Sequence, residues 1–206
     1  MKLPLLGLVF ALVMPLAACG DSTPPKSSPS TKSTPTESPS SPKSSANSPT
    51  GSGYTYNSKD GNYTVVFPAK PSEQNQTANS AKGPIPFVLA IYTDDSKQRA
   101  FLTSSSNLPL PEGKKPSDYN PEKGLDGARD GASKSAKATI VKETKITQNG
   151  YPGREITMKG GKNTAILQRI FIDPKGPTLY QAVVVAADGN LEFPEAKAFI
   201  DSLSIK

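Results

Sequence analysis

Ile140 to Gln148 and Tyr151 to Met158, joined by Asn149-Gly150, form the stretch that decides the fold. Asn-Gly accepts the positive φ angles that a two-residue hairpin demands, so the two segments predict a pair of antiparallel strands. Downstream, Ala165 to Ile172 and Leu179 to Ala187 are near-continuous apolar runs. The row Val183-Val184-Val185 suits a strand covered on both faces. Pro194 then opens a helix with Ala196, Phe199, Ile200 and Leu203 on one side. Upstream, Pro121 stands before a predicted helix from Glu122 to Lys137, with Leu125, Ala128, Ala132 and Ala136 at helical spacing. Gly124, Gly127 and Gly131 weaken it by up to ~1 kcal/mol each relative to alanine, and their size fits close approach to a sheet. Further back, Lys59-Asp60-Gly61-Asn62 predicts a turn and Tyr63 to Phe67 a strand ending at Pro68. Gln74 to Ser80 pairs with Ile85 to Thr93 across Ala81 to Pro84, and Ala100 to Ser104 is the next strand. Asn107 to Pro121, rich in proline and without periodicity, reads as a long loop. The order is strands, helix, four strands, helix, which predicts an α+β domain over residues 54–206: an antiparallel sheet sandwiched by helices.

The N-terminal quarter is different. Lys2 precedes a short apolar run, Leu3 to Leu16, too short to span a bilayer as a helix. It ends in Leu16-Ala17-Ala18-Cys19, small residues before the one cysteine among the 206 residues. This predicts a secretory signal over residues 1–18, and Leu-Ala-Ala-Cys resembles the bacterial lipobox, which implies lipidation of the Cys19 thiol. Residues 19–53 then predict a tether. Gly20 to Gly53 holds 12 Ser, 5 Thr and 7 Pro, with no aromatic or branched aliphatic residue. Such a segment has nothing apolar to bury against its ordering entropy. The composition fits a plain spacer and a glycosylated stalk alike.

Several short motifs of the domain resemble one family. They are Gly61-Asn62-Tyr63-Thr64-Val65-Val66-Phe67-Pro68, Leu125-Asp126-Gly127-Ala128-Arg129, Gly150-Tyr151-Pro152-Gly153-Arg154-Glu155, Leu179-Tyr180, and Phe199-Ile200-Asp201-Ser202-Leu203. Together they are similar to the PsbP-like family, whose members include extrinsic photosystem II subunits and bacterial lipoproteins. The resemblance implies an α/β/α sandwich and carries no catalytic residue with it.

Composition narrows the chemistry. There is no histidine, which removes Ser-His-Asp and Cys-His catalysis and the usual zinc sites. A single cysteine leaves no disulfide within one chain. The Ser40-x-x-Lys43 match falls in the tether, and Asp94-Asp95 is explained by turn chemistry more simply than by a cation site. No catalytic, metal or cofactor-binding residue is expected. Pro152-Gly153-Arg154-Glu155 reads as a strand bulge or edge, with Arg154 paired to Glu155 or a neighbour. From Lys123 to Lys145, six cations face three carboxylates, against a net charge of +6 for the whole chain. Lys123, Arg129, Lys134 and Lys137 are therefore the candidate partner surface, although a solvated helix face accounts for the same charges. These readings lead to a non-enzymatic, membrane-anchored protein-binding module of the cell envelope, with no nucleic-acid partner. The alternative is a carrier of an apolar ligand or lipid, which needs a sizeable cavity between sheet and helix.

The anchor is directly testable. Fatty-acid labelling is expected on the wild-type protein and lost in Cys19→Ala, with the variant leaving the membrane fraction; label that persists in the variant overturns the lipobox reading.

Overall fold

In the computed structural model, residues 53–59, 62–80, 83–110, 112–113 and 115–206 are described. The expected signal, Cys19, the tether up to residue 52 and the central residues Asp60-Gly61 of the first turn lie outside them. The Asn-Gly hairpin forms as read. Asn149 and Gly150 have φ of 51° and 84°, and Gln148 stands opposite Tyr151. Positive φ at both central residues is the backbone twist that lets two right-twisted strands close on two residues.

Ten strands and two α-helices follow in order. They are β1 (Tyr54–Asn57), β2 (Tyr63–Phe67), β3 (Ser72–Ser80), β4 (Gly83–Asp94), β5 (Arg99–Asn107), α1 (Pro121–Ala136), β6 (Thr139–Gln148), β7 (Tyr151–Lys159), β8 (Ala165–Ile172), β9 (Thr178–Ala186), α2 (Pro194–Asp201) and β10 (Ser204–Ile205). The large sheet runs β3-β4-β5-β9-β8-β7-β6, and every neighbouring pair is antiparallel. It consists of two meanders, β3-β4-β5 and β6-β7-β8-β9, joined at β5 and β9, with α1 carrying the chain between them. The long loop before α1 contains one 3-10 turn, Pro116–Asp118.

β9 is the central strand, and its apolar row serves both faces. Val183 and Val185 pack with Leu102, Leu125, Ile156, Met158 and Ile166 beneath α1. Ala182, Val184 and Ala186 pack on the opposite face with Phe67, Phe101, Phe199 and Ile200. One cover is thus a helix, as expected. The other departs from two helices sandwiching a sheet, because α2 is joined there by a second, three-stranded sheet of order β1-β2-β10. The eight-residue α2 is about 12 Å long at 1.5 Å per residue and cannot cover that face alone. β1 and β10 were not readable as strands. They are four and two residues long, and each takes its place by pairing with β2.

Phe199 connects the layers on this side. Its ring centroid lies 4.8 Å from that of Phe67 on β2 and 5.4 Å from that of Phe101 on β5. Phe199→Ala is expected to cost about 3–5 kcal/mol of unfolding free energy, as for other buried aromatic truncations. Val141, 56% exposed on β6, serves as the comparison: Val141→Ala is expected to stay within about 0.5 kcal/mol. Urea denaturation of both variants checks the contrast.

Candidate functional site

Helix α1 carries the candidate surface, and its sequence explains its placement. Asn120 caps the first turn by accepting a hydrogen bond from the Lys123 amide at 3.2 Å. Lys137 ends the helix in the left-handed region, at φ 49°. Gly124 is where small size matters: a Cβ there would strike the Tyr119 hydroxyl and lie 2.6 Å from Ile172 Cδ1. The helix therefore rests directly on the sheet at its first turn, with Leu125, Ala128 and Ala132 buried behind it. Burial pushes the Tyr119 hydroxyl up to about 12.

Beneath α1 lies an ion network that organises the surface. Arg154 projects from β7, and its side chain is 4% exposed. Its Nη2 donates to Glu122 Oε2 at 2.6 Å and to Asp126 Oδ1 at 3.2 Å, both on α1. Its Nε lies 2.8 Å from Glu143 Oε1 on β6 without hydrogen-bond alignment. Lys145, directly across from Arg154 on β6, reaches the same Glu122 oxygen at 3.1 Å. Two neighbouring cations would repel, and Glu122 stands between them. Arg129 binds Asp130 at 2.7 Å, and Asp126 and Glu143 at 3.2 Å each. Glu155 does not take part: it pairs with Arg169 on β8, which also holds Asp201 at 2.8 Å.

This corrects the reading of Pro152-Gly153-Arg154-Glu155 as a bulge or edge. β7 is an interior strand, and the register shift falls on β6 between Ile140 and Lys142. Gly153 faces Phe171 across the ladder, and a Cβ there would run into the Phe171 ring and the Ile170 carbonyl. Pro152 precedes the first β7–β8 pair, so its missing N–H costs no bond on that side.

Of the four candidate residues, α1 presents Lys123 and Lys134 about three turns apart along one line. Both are exposed, as is Lys137 at the helix end. None of the three forms an ion pair among the described residues, whereas Arg129 is held by three carboxylates. Sequence reasoning missed Arg154 and Glu122 as parts of the same surface, because β7 and α1 meet only through the fold. Asp94 is a turn residue, its Oδ1 accepting from Ser96 Oγ and the Lys97 amide. Among the described residues there is no group of acidic or cysteine side chains suited to a metal, and no helix is long and apolar enough to cross a membrane.

No protein-family model matches the chain, and no curated protein sequence does. Among solved structures it is similar to cyanobacterial PsbP (CyanoP) from Synechocystis sp. PCC 6803, with a TM-score of 0.50 and 10% identity. That match covers 79% of this chain and 98% of the other. The chain has a PsbP-like fold.

Hydrogen bonds from Arg154, and next from Lys145, hold the Glu122 carboxyl below its ordinary range. Burial opposes the Arg154 cation, but its bonds to Glu122 and Asp126 outweigh that and raise its pKa. A lowered carboxylate pKa adds stability that is present above the unfolded-state pKa and is lost as pH falls through the folded value. Arg154→Leu is expected to cost about 2 kcal/mol, less than the ~3–5 kcal/mol of a fully buried pair, because the carboxylates left behind reach water. Its melting temperature should also fall less steeply than wild type as the carboxylates are protonated. Thermal melts across the acid range check both, and equal slopes would show that Glu122 gains nothing from Arg154.

Proposed function

We propose that this chain is an extracytoplasmic lipoprotein, anchored through Cys19, whose domain acts as a non-enzymatic protein-binding or complex-assembly module. The observation that carries the reading is Lys123 and Lys134 on α1 with Lys137 at its end: exposed cations without ion-pair partners among the described residues, on a helix held by a buried guanidinium. Rigid presentation of charge lowers the ordering cost of docking, and such charges govern encounter with an oppositely charged partner. The PsbP-like fold supports the same class. The partner surface includes Arg129 as a support for neighbouring carboxylates rather than as a free cation. Carriage of an apolar ligand is the weaker reading, because Gly124 and Ile172 already touch where a ligand between helix and sheet would sit.

The test is charge reversal. Lys134→Glu with Lys137→Glu is expected to weaken partner retention from detergent-solubilised membranes and to leave the melting temperature within a degree or two, since exposed charges change stability by about 0.5 kcal/mol or less. Retention should also fall with added salt, as the Debye length shrinks from ~10 Å at 0.1 M to ~3 Å at 1 M. Unchanged retention at low salt overturns the assignment of this surface.

A further inference from the structure

The two sheets have four outer edges among the described strands, and three of them are blunted. β1 and β10 are four and two residues long. β6 carries a register shift at Ile140/Lys142 and the exposed lysines Lys142 and Lys145. Short strands, bulges and lysines are the usual protections against pairing with another chain. β3 has none of them. Ser72–Ser80 runs nine residues without lysine, arginine or proline, in unbroken register with β4. Its one charged residue, Glu73, is engaged by the Lys59 ammonium at 3.2 Å and the Tyr56 hydroxyl at 3.0 Å.

The β4 prolines indicate which β3 groups face outward. Pro86 stands opposite Thr77, and Pro84 opposite Asn79. Proline has no N–H, so the ladder is complete only if these are non-hydrogen-bonded pairs. The N–H and C=O groups of Glu73, Asn75, Thr77 and Asn79 then point to the free edge.

We infer that β3 is the seat of a two-fold antiparallel pairing with a second copy of this chain, centred on Gln76. Centring there overlaps all nine residues. It sets Glu73 opposite Asn79 and Asn75 opposite Thr77, so outward-facing groups meet outward-facing groups and no like charges oppose. A C2 contact of this kind requires a self-complementary strand, and β3 meets that requirement. An open groove of about 440 Å³ lies beside Glu73 at the start of this edge, lined by Tyr54, Tyr56, Lys59, Lys70 and Pro71 among others.

The full-length chain in density-matched detergent is the material for the test, read by sedimentation equilibrium. Wild type is expected at twice the chain mass. Gln76→Lys and Gln76→Glu each place like charges on the two-fold axis and should fall to a single-chain mass with unchanged melting. Mixing the two variants should restore the doubled mass. Wild type at single-chain mass at its highest soluble concentration, a doubled mass for both variants, or a mixture that stays single would each overturn the pairing. A second arm does not depend on how the charged variants fold. In a Cys19→Ser background, Gln76→Cys should cross-link under mild oxidation, since a non-hydrogen-bonded pair sets Cα atoms ~4.5 Å apart, within disulfide reach. Thr144→Cys on the blunted β6 edge should not. Failure of the Gln76→Cys chain to cross-link overturns the proposal.

Discussion

Val183 and Val185 face α1, while Ala182, Val184 and Ala186 face the other way into an aromatic layer. A central strand that is apolar on both sides cannot stand in a sheet with one wet face. Every larger feature of the domain answers that constraint. α1 must cross from the β5 side to reach the far edge, and in doing so it covers one face. The second face is wider than a two-turn helix can cover, so β1, β2 and β10 close over it with α2. Phe67, Phe101 and Phe199 interlock there in tilted and edge-on geometries, which suit aromatic rings better than flat stacking.

The cover on the α1 side is held by two different means. Along its length, small residues let the helix settle on the sheet, with Gly124 against Ile172. At the β6–β7 end, the apolar layer gives way to Arg154, a buried cation that links α1 to two strands through Glu122, Asp126 and Glu143. A buried arginine without carboxylates would carry a large desolvation cost. The half-exposed acids of α1 remove it while keeping their own contact with water. The same acids neutralise Arg129 and Lys145, so among the described ion pairs the cations left over are Lys123, Lys134 and Lys137 by the helix and Lys142 on β6. The surface proposed to meet a partner is thus what remains after the fold has used the nearer charges.

The edges follow from the same architecture. An open antiparallel sheet of seven strands ends in two free ladders, and these ends are unlike. β6 is charged, bulged and close to the ion network. β3 is polar, regular and remote from it.

Much of this was legible in the residues. The Asn-Gly hairpin, the doubly buried β9, both α-helices and the α+β order all rest on local rules: turn chemistry, apolar runs and helical periodicity. These act within a few residues and leave their mark in sequence. What could not be read was whatever depends on two distant segments meeting. β1 and β10 are too short to show periodicity and exist because β2 supplies their hydrogen bonds. Arg154 read as a strand-edge residue because its partners on α1 lie 28 and 32 positions away. Arg129 read as part of the partner surface, and that it is held by Glu143 as well as by its helix neighbours Asp126 and Asp130 depends on β6 meeting α1. The sequence alone determined which segments are strands and helices and which faces they must bury. The tertiary structure alone decided which charges cancel, which remain exposed and which sheet edge stays open, because electrostatic pairing and edge exposure depend on distance in space rather than along the chain.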